Sequence, residues 1–482
     1  MNKNESRETR IMNFFKEKFR DRHTLILLGI MLFAFLVRLF FFMQTYDQVL
    51  WFDSAGYMSK GLELAGILDF EPHFGAHRQI GGPLIFALFF MLGLGEIGIR
   101  LVFEFGMSLL GVFMTYKIGS KLFNKETGLI AAACMSFFYL NLFYAMRVLL
   151  GLPTSVLWLV VIYFFWKGYY DKKPLYLYLA AIVGAISALI YYSIGFLLIT
   201  MIVFLLLTDK FKFLKNKHIY LAFLAGLLVY MPKLIWNIIH TGAIHPMLAD
   251  VAKNINKHVP ESGPPISNLF NFVKYLPQGL QIILFLAFIA GLLYIIFKLA
   301  ISFDYIIKDN YTEGRNYLFL ILWILPVFIF FSYMTYKHVG GFFEPRFLQP
   351  IFPAMFIIIG IFLSNVRGFI KKYNQKASVI VIVLILLLAG VFQLTYANNM
   401  IMSSEPSYRE VKQAGLWLKE HTEPGEVIIG LSAPQLNYYA QRETVFKRHM
   451  WQHKDVLLNK SEIIDELIKG NNATYMMLSM YE

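Results

Sequence analysis

The sequence contains one cysteine, Cys134, in 482 residues, and it is also poor in charge. A single cysteine excludes an intrachain disulfide and a metal centre built on several thiolates. Charged side chains make up only 16% of the chain, whereas a soluble protein has about a quarter. Hydrophobic residues make up 57%, and the mean hydropathy is +0.56. These values exclude an ordinary soluble protein and indicate a membrane protein.

A cleavable signal pattern is missing as well. A charged, amphipathic stretch over 1–23 runs directly into a full-length apolar segment, so we expect a cytoplasmic N-terminus followed by an uncleaved anchor. The formal net charge is +13. Lys and Arg are concentrated in short loops between apolar runs, which is the orientation signal of membrane proteins. This placement argues against a nucleic-acid partner and for a lipid bilayer.

Long apolar runs predict the fold class, an all-α polytopic membrane protein with about eleven transmembrane helices. One further apolar segment, 83–95, is too short to span. If it lies in the outer interface, the Lys- and Arg-rich loops all fall on the inner side, as the positive-inside rule requires. We therefore expect interfacial helices in a first outer loop, 46–97. The predicted spans are 24–43, 98–116, 127–143, 150–166, 175–190, 194–207, 218–238, 279–297, 317–334, 351–364 and 378–396.

The chain changes character after the transmembrane domain, 24–396. Polar segments with local helical or strand patterns alternate there, and Pro424-Gly425 marks a turn between two of them. The predicted elements are a helix over 407–421, a strand over 426–431, a helix over 461–468 and a strand over 475–480. Alternating elements predict a small extracytoplasmic α/β domain over 397–482. Because the sequence stops soon after the last strand, we expect this domain to be cut short.

The polar residue that follows the first span is Asp53. Asp53 and Tyr57 are four residues apart, so they share one face if the segment to Ala65 is helical. An Asp at a helix start often serves only as an N-cap. The functional interpretation is a general base beside a partly dry cavity, where burial raises the pKa of a carboxylate. We favour this second interpretation because Asp53 lies at the membrane surface, opposite the Lys-rich loops.

Several short motifs follow one another in a fixed order. They are Asp53-x-x-x-Tyr57, Arg78, Gly82-Pro83, Arg100-Leu101 and Phe343-Glu344-Pro345-Arg346-Phe347-Leu348-Gln349-Pro350. Their order and spacing resemble the C-type (GT-C) superfamily of membrane glycosyltransferases. The resemblance is to members such as the dolichyl-phosphate-mannose protein mannosyltransferases and the bacterial aminoarabinose lipid A transferases. It implies that Asp53, in the first outer loop, is the catalytic acidic residue.

This chain departs from the family pattern at two places. Ser54 stands where many relatives have Glu, and the outer turn at Arg147 has no acidic residue where many relatives have one. No Asp-x-Asp metal signature is present at either place. The histidine pairs at 73/77 and 240/245 lack a third ligand at a diagnostic spacing. We therefore predict no metal site; a divalent-metal cofactor stays an open alternative that no Asp-x-Asp motif supports.

The resemblance also implies a reaction and a setting. The protein would transfer a single sugar, mannose or another hexose or pentose, from a polyprenyl- or dolichyl-phosphate donor. The acceptor would be a hydroxyl of a protein, lipid or glycan, and transfer would invert the anomeric carbon, with Asp53 as general base. The abundance of Lys, Ile, Phe and Asn favours a prokaryotic cell membrane. The active site is expected on its extracytoplasmic side.

The lipid phosphate that leaves in such a reaction needs a cation, and one guanidinium can hold two of its oxygens. We assign donor-phosphate binding to Arg346, at a span entrance, and to Arg78, in the loop around Asp53. Ordinary alternatives are an interfacial anchor or a salt bridge to Glu344 for Arg346, and plain loop structure for Arg78. The candidate cavity or substrate residues are Tyr57, His77, Arg147, Tyr191, His338 and Glu344.

Other interpretations stay open. Arg100 and Glu104, four residues apart in the second span, are expected to pair structurally. A lipid-linked sugar transporter or flippase would have facing polar groups in mid-membrane and pseudo-symmetric halves. A ligase of the O-antigen type would handle whole lipid-linked polymers. A non-catalytic receptor or scaffold would use the tail that follows Ala397.

Overall fold

A computed structural model describes residues 21–72, 74–75, 78–246, 249, 266–308, 312–337, 343–430, 432–445 and 473–477. Within these ranges the chain is mainly helical. The α-helices are α1 (Arg22–Thr45), α2 (Phe52–Leu64), α3 (Gly81–Met91), α4 (Gly95–Leu101), α5 (Ser108–Leu122), α6 (Lys125–Phe137), α7 (Tyr139–Ala145), α8 (Gly151–Phe165), α9 (Pro174–Ile190), α10 (Ile194–Thr208), α11 (Lys217–Thr241), α12 (Asn271–Lys308), α13 (Thr312–Lys337), α14 (Phe352–Lys371), α15 (Gln375–Ser404), α16 (Arg409–His421) and α17 (Ala433–Tyr439). The π-helical and 3₁₀ segments are Val102–Met107, Trp166–Tyr170, Lys212–Lys215, Ile266–Phe270 and Pro345–Ile351.

Short polar side chains cap the N-termini of four helices. Asp21, Asn124, Asn216 and Asn374 each accept a hydrogen bond from a backbone N–H two or three residues later. These bonds satisfy amide groups that a helix start leaves free. Beyond the caps the sequence is apolar. Because lipid offers no hydrogen-bond partner, the backbone must close its bonds within each helix.

Ion pairs join the basic loops at the end of the bundle where these caps lie. Lys125 pairs with Asp21 at 3.0 Å, and Arg315 pairs with Asp209 at 3.3 Å. These residues belong to loops that the positive-inside rule predicts on one side of the membrane. The loops do meet at one end of the protein.

The length criterion is met by fewer helices than the eleven spans predicted. Among the residues that the structure describes, eight helices are long and apolar enough to cross a membrane, and α6 with α7, bent by 51°, makes a ninth if counted as one. The other two predicted spans, 175–190 and 194–207, coincide with α9 and α10, which have 17 and 15 residues. A span takes about 20 residues, so the total of eleven stays a prediction. The short helix α3 coincides with segment 83–95, which we predicted not to span.

Two spans form the centre of the bundle. In the span that ends with α14, 83% of the most apolar window is buried inside the protein, and in the span that begins with α8 the share is 67%. The corresponding shares are 17% for α1 and 11% for α11, so these helices lie at the periphery. The loops that open the two central spans are therefore attached to the best-packed part of the fold.

The tail contains three parallel strands, β1 (Val427–Gly430), β2 (Glu443–Val445) and β3 (Ala473–Met477), in the order β2-β1-β3. Helix α16 and strands β1 and β3 lie within two or three residues of predicted elements. The helix predicted over 461–468 lies outside the described residues. The proposed boundary at 397 falls inside α15, and a separate α/β domain stays a prediction.

Helix α17 packs on α2. The backbone N–H of Leu50 donates to the Tyr439 hydroxyl at 2.9 Å, and the Ser59 hydroxyl donates to the Pro434 carbonyl at 3.3 Å. The tail therefore packs on the helix that follows the first span and holds it through these two hydrogen bonds.

Candidate active site

Asp53 lies in the first turn of α2. The N-cap position of this helix is Trp51, whose backbone is extended, and Asp53 is the second helical residue. The interpretation of Asp53 as a simple N-cap is therefore wrong. A carboxylate in the first turn is still favoured by the positive end of the helix dipole. The i, i+4 relation brings Tyr57 to the same side of the helix.

Two arginines hold the carboxylate of Asp53, one at each oxygen. Arg78 Nη2 lies 2.8 Å from Oδ1, and Arg346 Nη1 lies 3.0 Å from Oδ2. The second guanidinium also contacts the carboxylate of Glu344 through its Nε. The structure thus joins three distant residues in one ion-pair network. Arg78 is 25 positions from Asp53 in the sequence, and Arg346 is 293 positions from it. Both arginines predicted to bind phosphate lie at the predicted base.

The charge balance at Asp53 overturns one expectation. Burial alone raises the pKa of this carboxyl, but the neighbouring Arg78 and Arg346 guanidinium groups outweigh burial and hold the pKa below its usual range. We predicted a raised pKa because the sequence shows only the apolar surroundings. The prediction is wrong for this state of the site, since opposite charges within hydrogen-bond distance favour the ionised form.

Aromatic faces and a glycine position Arg78. Its guanidinium carbon lies 5.2 Å from the ring centroid of Tyr57 and 6.0 Å from that of Phe74. A Cβ at Gly56 would lie 3.1 Å from Arg78 Nη1. The missing side chain at Gly56 therefore lets the guanidinium approach α2 closely enough to reach Asp53.

A cavity of about 60 Å³ opens beside the carboxylate. It is lined by Asp53, Tyr57, Leu149, Leu150, Gly151, Tyr191, Ser193, Phe331, Arg346, Phe347 and Pro350. Its walls come from α2, from the starts of α8 and α10, from α13, and from the 3₁₀ helix that leads into α14. The cavity combines an ionised acid, a cation and two phenol hydroxyls with an apolar wall. Such a lining suits a ligand with both polar and apolar parts.

The remaining predicted site residues are placed differently. Glu344 contacts Arg346 but does not line the cavity. Arg147 is 2% exposed and lies behind the cavity wall, against the rings of Trp51 and Phe143. His77 and His338 lie outside the described residues. The predicted Arg100–Glu104 pair is confirmed, with Nε 2.7 Å from Oε1.

Several site residues escaped the sequence analysis. Phe331 and Phe347 stack with ring centroids 4.6 Å apart and form one apolar wall of the cavity. Gln349, in the same 3₁₀ helix, is buried with its carboxamide unpaired in the described part of the chain. Phe347 and Gln349 belong to the proline-rich motif around Arg346. That motif was the one available signal, because an aromatic such as Phe331 is ordinary in a membrane span.

The described part of the site offers no free carboxylate to a divalent metal. Among the described residues that line the cavity, Asp53 is the one carboxylate, and both of its oxygens lie on guanidinium groups. Among the described residues no group of three His, Cys, Asp or Glu side chains lies together. The predicted absence of a metal site stays a prediction, since His73 and His77 lie outside that part.

Comparisons with known proteins identify the fold. Residues 77–236 match the family model of the dolichyl-phosphate-mannose-protein mannosyltransferases. The structure is similar to ArnT from Cupriavidus metallidurans bound to undecaprenyl phosphate, with a TM-score of 0.60 and 13% identity over 92% of this chain and 89% of ArnT. The apo state of ArnT gives 0.59 and 14% over 93% of each chain. No curated protein sequence matches the chain.

A second similar structure is the archaeal oligosaccharyltransferase AglB from Archaeoglobus fulgidus, in complex with an inhibitory peptide and a dolichol-phosphate. The TM-score is 0.58 and the identity 14%, over 89% of this chain and 64% of AglB. The predicted resemblance to the GT-C superfamily is confirmed. The protein is a multi-pass membrane protein with the fold of the GT-C glycosyltransferases.

Proposed function

We propose that this protein is a membrane glycosyltransferase that moves one sugar from a polyprenyl-phosphate-linked donor to an acceptor hydroxyl. The observation that carries the proposal is the site itself. Asp53, whose carboxylate two arginines bind, and one of those arginines, Arg346, line a cavity where a first-loop helix meets the opening of a central span. This arrangement offers a base for a hydroxyl and cations for a phosphate, within the fold of the GT-C enzymes.

Asp53 is the base in this reaction. The acceptor oxygen attacks the anomeric carbon of the donor, and its proton passes to a carboxylate oxygen of Asp53. The bond between the anomeric carbon and the phosphate oxygen breaks, and the electron pair stays on the polyprenyl phosphate. One bond forms as one breaks on the opposite face, so the configuration inverts. The low pKa keeps Asp53 ionised, and therefore able to accept a proton, at neutral pH.

Donor binding must change the arginine contacts. In the structure both oxygens of Asp53 are occupied, by Arg78 and by Arg346. A donor phosphodiester brings one negative charge and its own acceptor oxygens, so it competes with Asp53 for a guanidinium. We propose that Arg346 turns to the phosphate, because it already lines the cavity whereas Arg78 does not. This exchange frees one carboxylate oxygen and raises the basicity of Asp53 when the donor is present.

The polyprenyl carrier and the side of the membrane are parts of the same proposal. ArnT is bound to undecaprenyl phosphate, and AglB to a dolichol-phosphate. Phe331 and Phe347 form an apolar wall of the cavity, which suits a lipid carrier. The basic loops meet at the opposite end of the protein, which supports our proposal that Asp53 lies on the outer face. The sugar would be a hexose or pentose, and the acceptor a protein, lipid or glycan.

A donor panel in proteoliposomes tests this function. Purified protein is reconstituted with radiolabelled polyprenyl-phosphate hexoses and pentoses, and transfer to an acceptor, or release of free sugar, is followed beside Asp53→Asn. Label transferred by the wild type alone supports the proposal and names the donor. No transfer with any donor, combined with movement of intact labelled lipid between leaflets, would contradict it and indicate a flippase. Transfer of whole lipid-linked polymers only would indicate a ligase.

A further inference from the structure

Arg147 is a buried cation with no anionic partner in the described part of the chain. Its side chain is 2% exposed, and its Nε, Nη1 and Nη2 donate no hydrogen bond to any described residue. The guanidinium carbon lies 3.9 Å from the ring centroid of Trp51 and 3.9 Å from that of Phe143. The two rings meet at 78°, so the guanidinium fills the corner between two aromatic faces. A charge is costly in such a place, and the aromatic faces offset only part of that cost.

The backbone of Arg147 also contacts the first turn of α2. The Ser54 hydroxyl donates to the Arg147 carbonyl at 2.5 Å. Trp51, the N-cap residue of α2, supplies one face of the corner. Arg147 thus contacts the residue two positions before Asp53 through its side chain, and the residue directly after Asp53 through its carbonyl.

The turn that carries Arg147 is strained and also forms part of the cavity wall. Val148 has φ of 53°, a left-handed conformation that a β-branched residue rarely adopts. Such strain persists only where surrounding contacts enforce it. The next three residues, 149–151, line the cavity. The turn therefore links the cavity wall to the first turn of α2.

We propose that Arg147 is a positioning residue for Asp53, which locks the first turn of α2 against the cavity wall through the Trp51–Phe143 corner and the Ser54 hydrogen bond. The inference rests on the proposed role of Asp53 as base. Arg147 does not line the cavity and does not touch Asp53, so it acts through Trp51 and Ser54. The free-energy cost of burying the Arg147 charge is then offset in function, because the Asp53 carboxylate is held in a fixed orientation.

Arg147→Met separates this role from a merely structural one. Methionine fills the apolar corner and removes an uncompensated charge, so the midpoint of thermal unfolding should stay or rise. With the turn no longer locked, kcat should fall by about 10–100-fold, since small displacements of a reacting group have effects of that order. The donor KM should be unchanged, because Arg147 makes no contact with the donor. A structural residue would instead lose activity together with unfolding temperature.

Ser54→Ala is the second variant. It removes the hydrogen bond to the Arg147 carbonyl and leaves the corner intact, so we expect the same direction of change with a smaller loss of kcat. If Arg147→Met does not fold, the kcat of Ser54→Ala tests the proposal instead. Wild-type kcat in Ser54→Ala and in any folded Arg147→Met would overturn the proposal, as would activity losses that follow the loss of unfolding temperature.

Carbodiimide labelling of Asp53 gives a readout that needs no transfer activity. The reagent reacts with the protonated carboxyl, and the labelled peptide is quantified by mass spectrometry with Asp53→Asn as the blank. If Arg147→Met releases Asp53 from its arginines, labelling at pH 6 should be about tenfold faster for each unit by which the pKa rises. Unchanged labelling in both variants would overturn the inference even if no donor is found. If Asp53 is labelled faster in the variants while the wild type transfers no sugar, the role of Arg147 is supported and only the proposed function is contradicted.

Discussion

Two arginine–carboxylate contacts lie near the same end of this protein, and they differ in the number and exposure of their partners. Arg100 and Glu104 form a one-to-one pair, 2% and 0% exposed, and Arg100 also donates to the Tyr46 carbonyl at 2.6 Å. Asp53 is 31% exposed beside a cavity, and two arginines compete for it. The first contact is closed to ligands. The second can exchange a partner without burying an uncompensated charge.

The comparison shows how the same chemical groups serve structure in one place and function in another. Glu104 lies in the π-helical segment that leads into α5, with its carboxylate enclosed by helices. The Arg100–Glu104 pair is enclosed at 2% and 0% exposure, so an incoming ligand cannot reach either charge. The Asp53 network has one carboxylate for two guanidinium groups, with Glu344 as a further anion. An incoming phosphate can therefore take Arg346 and leave Asp53 paired with Arg78.

The largest expected effect is that of Asp53→Asn. Loss of the base should lower kcat by about 10²–10⁴-fold. Donor affinity should hold or increase, because the arginines are then free for the phosphate. Transfer rate and donor binding are measured on detergent-purified enzyme. Weak donor binding together with a normal rate per bound donor would show that Asp53 serves binding rather than proton transfer.

Arg346→Lys should have the next largest effect. Lysine keeps the charge but lacks the planar fork that contacts Asp53 and Glu344 together. Loss of one hydrogen bond to a charged group corresponds to about 1.5–3 kcal/mol, so kcat/KM for the donor should fall by about 10–100-fold.

The matched control for Arg346→Lys is Arg367→Lys. Arg367 is 26% exposed, against 23% for Arg346, and it pairs with Glu126 at the other end of the bundle. Arg367→Lys should leave donor kinetics unchanged. Equal losses in both variants would mean that the effect of Arg346→Lys is one of stability and not of donor binding.

A smaller effect is expected from Gly56→Ala. The new methyl group would approach Arg78 Nη1 to 3.1 Å, so the guanidinium must shift by a few tenths of an ångström. We expect kcat/KM to fall several-fold, well below the loss of about 10²-fold for a misplacement of 1 Å. Gly29→Ala is the control, because nothing lies within 4 Å of a Cβ at Gly29 in α1. If both alanines gave wild-type kinetics, the close approach at Gly56 would not matter for the reaction.

Glu104→Gln should leave the turnover of the folded enzyme unchanged and act on stability instead. It removes the charge of the carboxylate that pairs with the buried Arg100 guanidinium, and breaking a buried pair costs about 3–5 kcal/mol. The fraction of folded protein is measured by size-exclusion chromatography after heating, and kcat is corrected for it. A tenfold loss of kcat in fully folded Glu104→Gln would remove the distinction between the two contacts.

Local patterns in the sequence predicted much of this site, and long-range contacts account for most of the rest. Asp53, Tyr57 and the helix that joins them follow from an i, i+4 relation after a long apolar run. The proline-rich motif pointed to Arg346. Its contact with Asp53 could not be predicted, because the two residues are 293 positions apart and meet only through the packing of the bundle.

The errors have the same origin. The pKa of Asp53 was expected to rise because apolar neighbours are visible in the sequence, whereas the approach of two arginines is not. The count of eleven spans is not among these errors and stays a prediction, since α9 and α10 are shorter than the length criterion. Arg147 was predicted to line the cavity but lies behind its wall, since the aromatic corner that holds it combines residues from two separate segments.

The pH dependence of transfer tests most directly whether the donor phosphate takes an arginine from Asp53. A base with a depressed pKa is active above that pKa and is lost as pH falls through it. The profile of kcat/KM reports the free enzyme, and that of kcat reports the donor complex. If Arg346 moves to the phosphate, the acidic limb of kcat lies at higher pH than the acidic limb of kcat/KM. Coincident limbs, or a kcat limb at lower pH, would contradict the exchange of partners at Asp53.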